Sequence, residues 1–493
     1  MNQITIKEAL KDLNYDTPIG INENEPIIPT LYDEQIYENS LVFCTEKYNE
    51  TDRKTPLRFN DKKPYAAVVS YNHEVPDSKI PIIRVASVRT ALAHTISNLY
   101  NINYSKMKII GITGTNGKTT TSTIIFEILK KIGYSVGFIG TGKIYINDEL
   151  ITDYTYSMTT PDPTLLYKAL ADMYKAKCEY VVMEVSSHSL ALGKVSPIKF
   201  EYCIFTNLSN EHIDFHGSTE EYYKAKVSLF TQTKRGLFNI DDAYCQRAYQ
   251  EATCEKSSIG IIKEADAFAT DIKSNMQEGI SFYFRTNNII FKVNSSLLGA
   301  FNVYNIMCAL KCLIDLGVPA CIAKKALSEI KQIEGRMECY KSDIVAVVDY
   351  AHTPNAFYNC LKTLKNLDNK KQNITVVFGC GGNRDKNKRC EMGTIATLYA
   401  DKIILTEDNN RNESFEDIIS DISKGIHFKE YRVIRDRETA IRTAISDASS
   451  GDIIAIIGKG HEKYKITNTT IIPYDEIIIV KDALEKRNLS LCE

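Results

Sequence analysis

Tryptophan is absent from this chain, and so is any apolar run long enough to cross a bilayer. The longest runs, such as Ile453–Ile457, are strand-length, far below the ~20 residues a membrane helix needs. An excess of basic charge is also missing: 60 Lys and Arg face 62 Asp and Glu, for a net charge of −2. Nucleic-acid proteins usually carry a basic stripe or surplus, so that class is disfavoured. The opening MNQITIKEAL has no basic stretch before an apolar one, and no secretory signal is expected from it. The 13 cysteines include no C-x-x-C pair, and Cys308 and Cys312 sit at helical spacing in an apolar stretch. They read as scattered reduced thiols of a cytoplasmic enzyme, without a disulfide framework or zinc site.

What is present describes an ordinary globular protein, with 44% apolar and 25% charged residues. At 493 residues the chain is too long for one core. Strand-like segments at Ser40–Cys44, Ala66–Ser70 and Pro81–Val85 precede a helix from Ser87 to Leu99. A regular alternation then begins: strand Lys108–Ile112, helix Lys118–Lys131, strand Val136–Ile139, helix Pro163–Lys175, and strands Tyr180–Val185 and Tyr202–Thr206. A second alternation follows Glu338, with strands at Ile344–Val348, Ile374–Phe378, Lys402–Leu405 and Asp452–Ile457. Its helical stretches are Ala356–Leu364, Glu391–Leu398 and Phe415–Ile422. Strands alternating with helices indicate mostly parallel, doubly wound sheets. The expectation is an α/β protein of three domains: a small N-terminal one (1–104), a central P-loop ATPase-like one (105–335) and a Rossmann-like C-terminal one (336–493).

The central motif is GITGTNGKTTT, lying between an apolar strand and a helix. Glycines let the backbone approach phosphates, and successive N–H groups at a helix start form an anion nest. Gly114, Thr115, Asn116, Gly117, Lys118, Thr119 and Thr120 are therefore expected to bind ATP, with Lys118 on the β- and γ-phosphates and Thr119 on Mg²⁺. Counted from Gly111, the run has one residue more than the strict G-x-x-x-x-G-K-[ST] pattern. Glu184 ends the next buried strand, and TNLSNEHIDFHG places His212 and Asp214 at the same rim. Thr119, Glu184 and His212 would give Mg²⁺ an oxygen-rich shell with one imidazole. His216 reads as structural. The helix after it carries Lys224 and Lys226, and spacing alone distinguishes neither from a surface lysine.

The chain resembles the Mur ligase family of ATP-dependent amide-forming enzymes. The resemblance rests on GTNGKTTT, SMTTPDP, MEVSSH, NEHIDFHG with KAK, GAFNVYN, EGRME, VVDYAHTP, FGCGGNRDKNKR, DNNRNE and GKGHE, which occur in family order from about residue 106 to 465. It implies formation of an acyl phosphate from a substrate carboxylate and ATP, followed by attack of an amine. Lys118, Glu184, His212 and Lys226 are implied as catalytic, with Lys226 carrying a carbamate made from CO₂. Asn302 is implied beside the adenine with Asn305 supporting the loop, and Arg336 and Asp349 at the γ-phosphate and ribose. Thr159, Thr160 and Ser186 match positions holding the muramoyl peptide, and Lys194 stands where the family has Arg. Arg389, Asp408, Asn409, Arg411, Gly458 and Glu462 match the amino-acid pocket.

That pocket is most similar to the branch adding meso-diaminopimelate, where a DNPR sequence receives the distal end of the substrate. Here the run is Asp408-Asn409-Asn410-Arg411, with Asn410 in place of proline. Arg suits a carboxylate through bidentate charge-assisted bonds. The implied reaction adds this diamino acid to UDP-N-acetylmuramoyl-L-Ala-D-Glu in peptidoglycan precursor synthesis. The implied partners are these small molecules with ATP and Mg²⁺, without nucleic acid or membrane, in a cytoplasmic monomer. The N-terminal stretch departs from the pattern: Tyr32-Asp33-Glu34 stands where Ser-Arg is usual, and no D-G-H follows. Two other readings stay open at this stage. One is a paralogous ligase acting on another carboxylate; the other is a regulatory or scaffold protein that has lost catalysis. The intact set Lys118, Thr119, Glu184, His212 and Lys226 counts against the second.

Overall fold

The computed structural model describes residues 3–31, 36–45, 63–73, 78–153, 158–287, 289–366, 372–468 and 470–492. The departure at Tyr32-Asp33-Glu34 lies outside them. The chain forms three α/β domains in sequence order, each built on its own main sheet. In the N-terminal domain four parallel strands, Pro26–Leu31, Ser40–Phe43, Ala66–Ser70 and Ile82–Val85, are flanked by a short antiparallel strand at each edge. Helix Val88–Tyr100 packs on that sheet; Ser87 caps its start, and left-handed Asn101 ends it.

Seven strands of the central sheet run parallel. In spatial order they are Val136–Gly140, Tyr180–Glu184, Lys108–Thr113, Phe200–Phe205, Thr233–Asn239, Glu255–Gly260 and Ala267–Asn275. Antiparallel strands close both edges: Lys143–Ile146 with Glu149–Asp153 on one side, Gly279–Thr286 with Ile289–Ser295 on the other. Sequence order reverses across Lys108–Thr113, whose neighbours come later in the chain on both sides. Crevices beyond the carboxyl ends of strands at such switch points are where open α/β sheets hold ligands.

Helix Lys118–Lys131 follows that strand directly. It buries Ile124, Ile125, Ile128 and Leu129 against the sheet, on the order of 1.5–3 kcal/mol each. No side chain caps its start, because Gly117 occupies the N-cap at φ 86°. Its first N–H groups are thus left to a ligand.

The C-terminal sheet runs Glu338–Lys341, Val345–Asp349, Ile453–Ile457, Ile374–Phe378, Lys402–Leu405 and Tyr431–Val433, parallel except at its first strand. Apolar layers cover both faces. The cores are not divided as the domains are. One cluster joins the N-terminal core to a face of the central sheet through helices Val88–Tyr100 and Pro163–Lys175. The C-terminal clusters stand apart, touching the central domain through Leu298 and its neighbours. Among the described residues, no helix is long and apolar enough to cross a membrane.

Candidate active site

A cleft of about 1300 Å³ lies between the central and C-terminal domains. From the central domain it is lined by Thr115, Asn116, Gly117, Lys118, Thr119, Thr120, Thr159, Glu184, His212 and Asn305. Across it stand Arg336, Asp349, Asp408, Asn409, Arg411, Gly458 and Glu462. Residues more than 340 positions apart in the chain thus face one space, because the sheet ends of both domains point into it.

The phosphate loop is held open by its own scaffold. Asn207 accepts from the Asn116 N–H at 2.9 Å, and its backbone carbonyl accepts from the Thr115 N–H at 2.9 Å. Gly114 and Gly117 adopt φ 144° and 86°, and a Cβ on either would lie 1.9 Å from Thr206 Oγ1 or 2.3 Å from Asn305 Oδ1. Glycine is required at both positions. The Lys118 ammonium folds back onto the Gly114 and Thr115 carbonyls at 2.9 Å each. Burial pulls its pKa down, with Arg336 acting in the same direction.

Glu184, fully buried at its strand end, accepts from the Thr119 hydroxyl at 3.0 Å and from the Thr141 N–H and hydroxyl at 3.1 and 3.2 Å. His212 is left-handed at φ 57°, and burial lowers its pKa to about 4, so it is neutral at pH 7 and able to accept. The Thr119 hydroxyl and Glu184 carboxylate are hard oxygen donors suited to Mg²⁺, while the neutral imidazole is a borderline nitrogen donor lining the same cleft. Among the described residues no three His, Cys, Asp or Glu side chains form a closed metal site.

Lys226 is not a surface lysine. It is buried, and its ammonium lies beneath the loop, donating to Gly114 O at 2.8 Å with the Tyr222 ring 4.6 Å away. Burial and the nearby Lys118 charge push its pKa well down. A lysine so placed has access to the neutral amine that carbamate formation requires.

From the far wall, Arg336 donates to Thr119 Oγ1 at 3.0 Å and lies over the Tyr350 ring. Asp349 accepts from the Met337 and Ala351 N–H groups at 2.7 Å each. Gly335, between the domains, adopts φ 65°, with a Cβ position 2.3 Å from His461 N. Glu211, which the sequence reading did not single out, pairs with His352 across the cleft at 3.2 Å.

Deeper in the C-terminal domain, Asn409 bridges Glu462 Oε2 at 2.9 Å and the Lys459 ammonium at 3.1 Å. Gly458 at φ 127° leaves room beside Asp408. Arg411 is left-handed at φ 52°, and its guanidinium donates to the Gly382 carbonyl at 2.9 Å. The hairpin Tyr464–Thr467 and Thr470–Pro473 holds this loop in shape, through Arg411 N–H to Ile466 O at 3.3 Å and Asn468 N–H to Arg411 O at 2.8 Å.

Several expected site residues do not reach the cleft. Arg389 is the clear correction. It is completely buried, donating to Glu413 Oε1 and Oε2 at 2.7 and 2.8 Å and to Asp421 at 3.1 Å, so its guanidinium serves the domain interior. The arginine that does line the cleft is Arg384, exposed and near enough to Arg411 to depress its pKa, beneath the larger effect of burial. Asn302 lies behind Asn305, its amide engaged by Leu298 O and by Asn305 itself. Thr160 and Ser186 tie to each other at 3.0 Å, Thr160 also holding Glu184 O, and they shape the turn behind Thr159. Lys194 pairs with Asp162 at 2.5 Å. The described cysteines are all unpaired with one another.

Residues 112–313 match the family described as "Mur ligase middle domain", and residues 335–460 match "Mur ligase, glutamate ligase domain". UDP-N-acetylmuramoyl-L-alanyl-D-glutamate--2,6-diaminopimelate ligase 1 of Clostridium acetobutylicum is 37% identical over 98% of this chain and 99% of its own length. The ligase of the same description from Clostridioides difficile is 40% identical over 98% and 99%. A solved structure of UDP-N-acetylmuramoyl-L-alanyl-D-glutamate--2,6-diaminopimelate ligase shares 28% identity and covers 99% of each chain with a TM-score of 0.66.

Proposed function

Because the chain belongs to the Mur ligase family, we propose that it joins meso-2,6-diaminopimelate to UDP-N-acetylmuramoyl-L-alanyl-D-glutamate with ATP. The observation that carries this reading is one cleft in which a phosphate loop faces two guanidiniums, Arg384 and Arg411, and two carboxylates, Asp408 and Glu462. A second amino-acid end, carrying both a carboxylate and an ammonium, is the ligand such a wall complements.

The chemistry follows from the poor reactivity of a carboxylate. A substrate carboxylate oxygen attacks the γ-phosphorus of ATP, the bond to the β-phosphate oxygen breaks, and ADP leaves. The diamino acid's amine then attacks the acyl phosphate, the C–O bond breaks, inorganic phosphate departs and the amine gives up a proton. The phosphate-loop N–H groups and Lys118 hold the β- and γ-phosphates. Arg336 brings positive charge from the C-terminal domain to the transferring group. Thr119, Glu184 and His212 would hold Mg²⁺, which supplies charge neutralisation between phosphates when bound. The neutral Lys226 amine attacks CO₂, forms an N–C bond and loses a proton, leaving a carbamate under the loop. Asn305 and Asp349 bracket the nucleoside, Asn302 supporting Asn305. Thr159 meets the acyl substrate on the turn held by Thr160, Ser186 and Lys194. Closure of the cleft keeps water from the acyl phosphate.

We further propose domain limits at 1–104, 105–335 and 336–493, and a monomer working in the cytoplasm, since one chain supplies every wall of the cleft. The test is phosphate release from ATP by purified protein. UDP-N-acetylmuramoyl-L-Ala-D-Glu and its nucleotide-free counterpart are each crossed with meso-diaminopimelate, L-lysine and an amino acid without a second amine. Release that needs the nucleotide substrate and diaminopimelate is expected. Release with neither muramoyl substrate, from protein that still binds ATP, would overturn the proposal.

A further inference from the structure

Lys459 is completely buried, in the loop between strands Ile453–Ile457 and Tyr464–Thr467, where the proposed chemistry assigns it nothing. Its ammonium is not idle. It donates to Asn409 Oδ1 at 3.1 Å and to Glu462 Oε2 at 3.0 Å, with Asp408 Oδ1 at 3.8 Å. The rings of Tyr464 and Tyr474 stand 5.6 and 5.8 Å from it. Below the loop, the fully buried pair Arg437–Glu476, at 2.9 Å, fixes the backbone on both sides of Lys459. Glu476 accepts from the Gly460 N–H at 2.9 Å, and Arg437 donates to Ile457 O at 3.2 Å. A buried charge costs several kcal/mol to desolvate, so this lysine must be answered by its partners.

The partners are the acidic half of the amino-acid pocket. In the same wall Arg384 and Arg411 form, among the described residues, no ion pair with Asp408 or Glu462, and Arg411 donates to the Gly382 and Asn409 carbonyls instead. Two cations and two anions facing one cleft would ordinarily collapse onto one another. Lys459 prevents this: it takes Oε2 of Glu462 together with the Asn409 amide, leaving Oε1 toward the Tyr350 and Tyr464 hydroxyls, each 3.4 Å away. Asp408 is likewise held ionised, since the cations Lys459 and Arg437 outweigh the effect of its burial.

We infer that Lys459 is a positioning residue that sets specificity for an amine substrate bearing a second carboxylate. It occupies the pocket's own carboxylates, so that Arg384 and the part of the Arg411 fork not held by the Gly382 and Asn409 carbonyls face the substrate's carboxylate, and Glu462 Oε1, held only by two 3.4 Å tyrosine hydrogen bonds, faces its ammonium. The inference rests on the proposed diamino-acid reading. Its test uses the full-length enzyme, Lys459→Met, Glu462→Gln and the double variant. The readouts are KM for diaminopimelate, KM for ATP and the diaminopimelate-to-lysine selectivity ratio.

Lys459→Met is expected to raise the diaminopimelate KM about 30-fold, as losing a hydrogen bond to a charged group does, and to lower the selectivity ratio, with the ATP KM held within about twofold. In the Glu462→Gln background the same replacement is expected to change the diaminopimelate KM less than about threefold, because the charge it restrains is gone. Additive effects in the two backgrounds, or a parallel rise of both KM values, would overturn the inference. Where Lys459→Met alone is insoluble, the comparison of Glu462→Gln with the double variant decides by the same criterion. Failure of the parent enzyme to use diaminopimelate at all would instead overturn the substrate reading, so the two failures are distinct.

Discussion

Two arginines five residues apart, Arg384 and Arg389, are assigned opposite work by the structure, and replacing each separates the roles. Arg389 is fully buried and donates to both oxygens of Glu413 and to Asp421. Arg389→Met removes the buried partner of both carboxylates and leaves Glu413 only the exposed Lys386 as counter-ion and Asp421 only the exposed Lys424, a loss at the lower end for a broken buried pair, about 3 kcal/mol. A domain of this size loses roughly 2–4 °C of melting temperature per kcal/mol, so the C-terminal transition should fall by about 10 °C. Arg384 is exposed on the cleft wall. Arg384→Ala should leave that transition within about 1 °C, since a surface substitution away from packing costs little. It should raise the diaminopimelate KM by about 10- to 150-fold, the range for losing a hydrogen bond to a charged group. Scanning calorimetry with and without nucleotide, beside steady-state kinetics at saturating ATP, measures both. An Arg389→Met protein that melts normally but binds diaminopimelate poorly would refute the reasoning, as would an Arg384→Ala protein with an unchanged KM.

Other outcomes follow from the same geometry. Lys226→Ala should lose at least ~100-fold in turnover and regain part of it with added formate or acetate, and labelled bicarbonate should give a carbamate carbon signal in the parent enzyme alone. Near-normal turnover of this variant would contradict the carbamate. Gly117→Ala places a Cβ 2.3 Å from Asn305 Oδ1 at a positive φ, so ATP affinity should drop at least ~10-fold with the acyl-substrate KM little changed. Glu413 is held well below the usual carboxylate range, chiefly by the hydrogen bonds from Arg389. The stability this adds is present above the ordinary glutamate pKa and is lost as pH falls beneath it toward the lowered value. Acid unfolding should therefore begin at higher pH in Glu413→Gln than in the parent, and coincident acid transitions would contradict that account.

Much of the site could be read along the chain because its chemistry is local. The phosphate loop is a strand, two glycines and a helix start, and nothing distant is needed to recognise it. Glu184 and His212 could be placed at one rim because parallel strands end on the same edge of a sheet. Facing was harder. In helix Asn387–Tyr399, Arg389 falls on the stripe of Met392, Gly393 and Ala396, so helical spacing marks it as inward-facing, whereas motif matching reports only its residue type. Asn302 and Asn305 share a helix face too, and which one reaches the cleft depends on the loop above them. Lys226 looked like any lysine of a solvated helix, since its burial comes from a loop 112 residues earlier. The antiparallel edge strands and the closing hairpin gave weak signals, being short or half exposed.

The way apolar residues are shared among the domains has a mechanical consequence. One continuous core runs from the N-terminal domain into the central one, whereas the C-terminal domain keeps its two cores nearly to itself. Shearing the first boundary would expose packed side chains to water, while swinging the second exposes little more than Leu298 and its surroundings. The chain is therefore a vice with one fixed jaw of two domains and one movable jaw. The movable jaw carries both the proposed amine pocket and Arg336, the cation that reaches Thr119. Bringing up the nucleophile and completing the phosphate site are a single stroke, so a closed cleft without an amine should be a state the enzyme seldom spends ATP in.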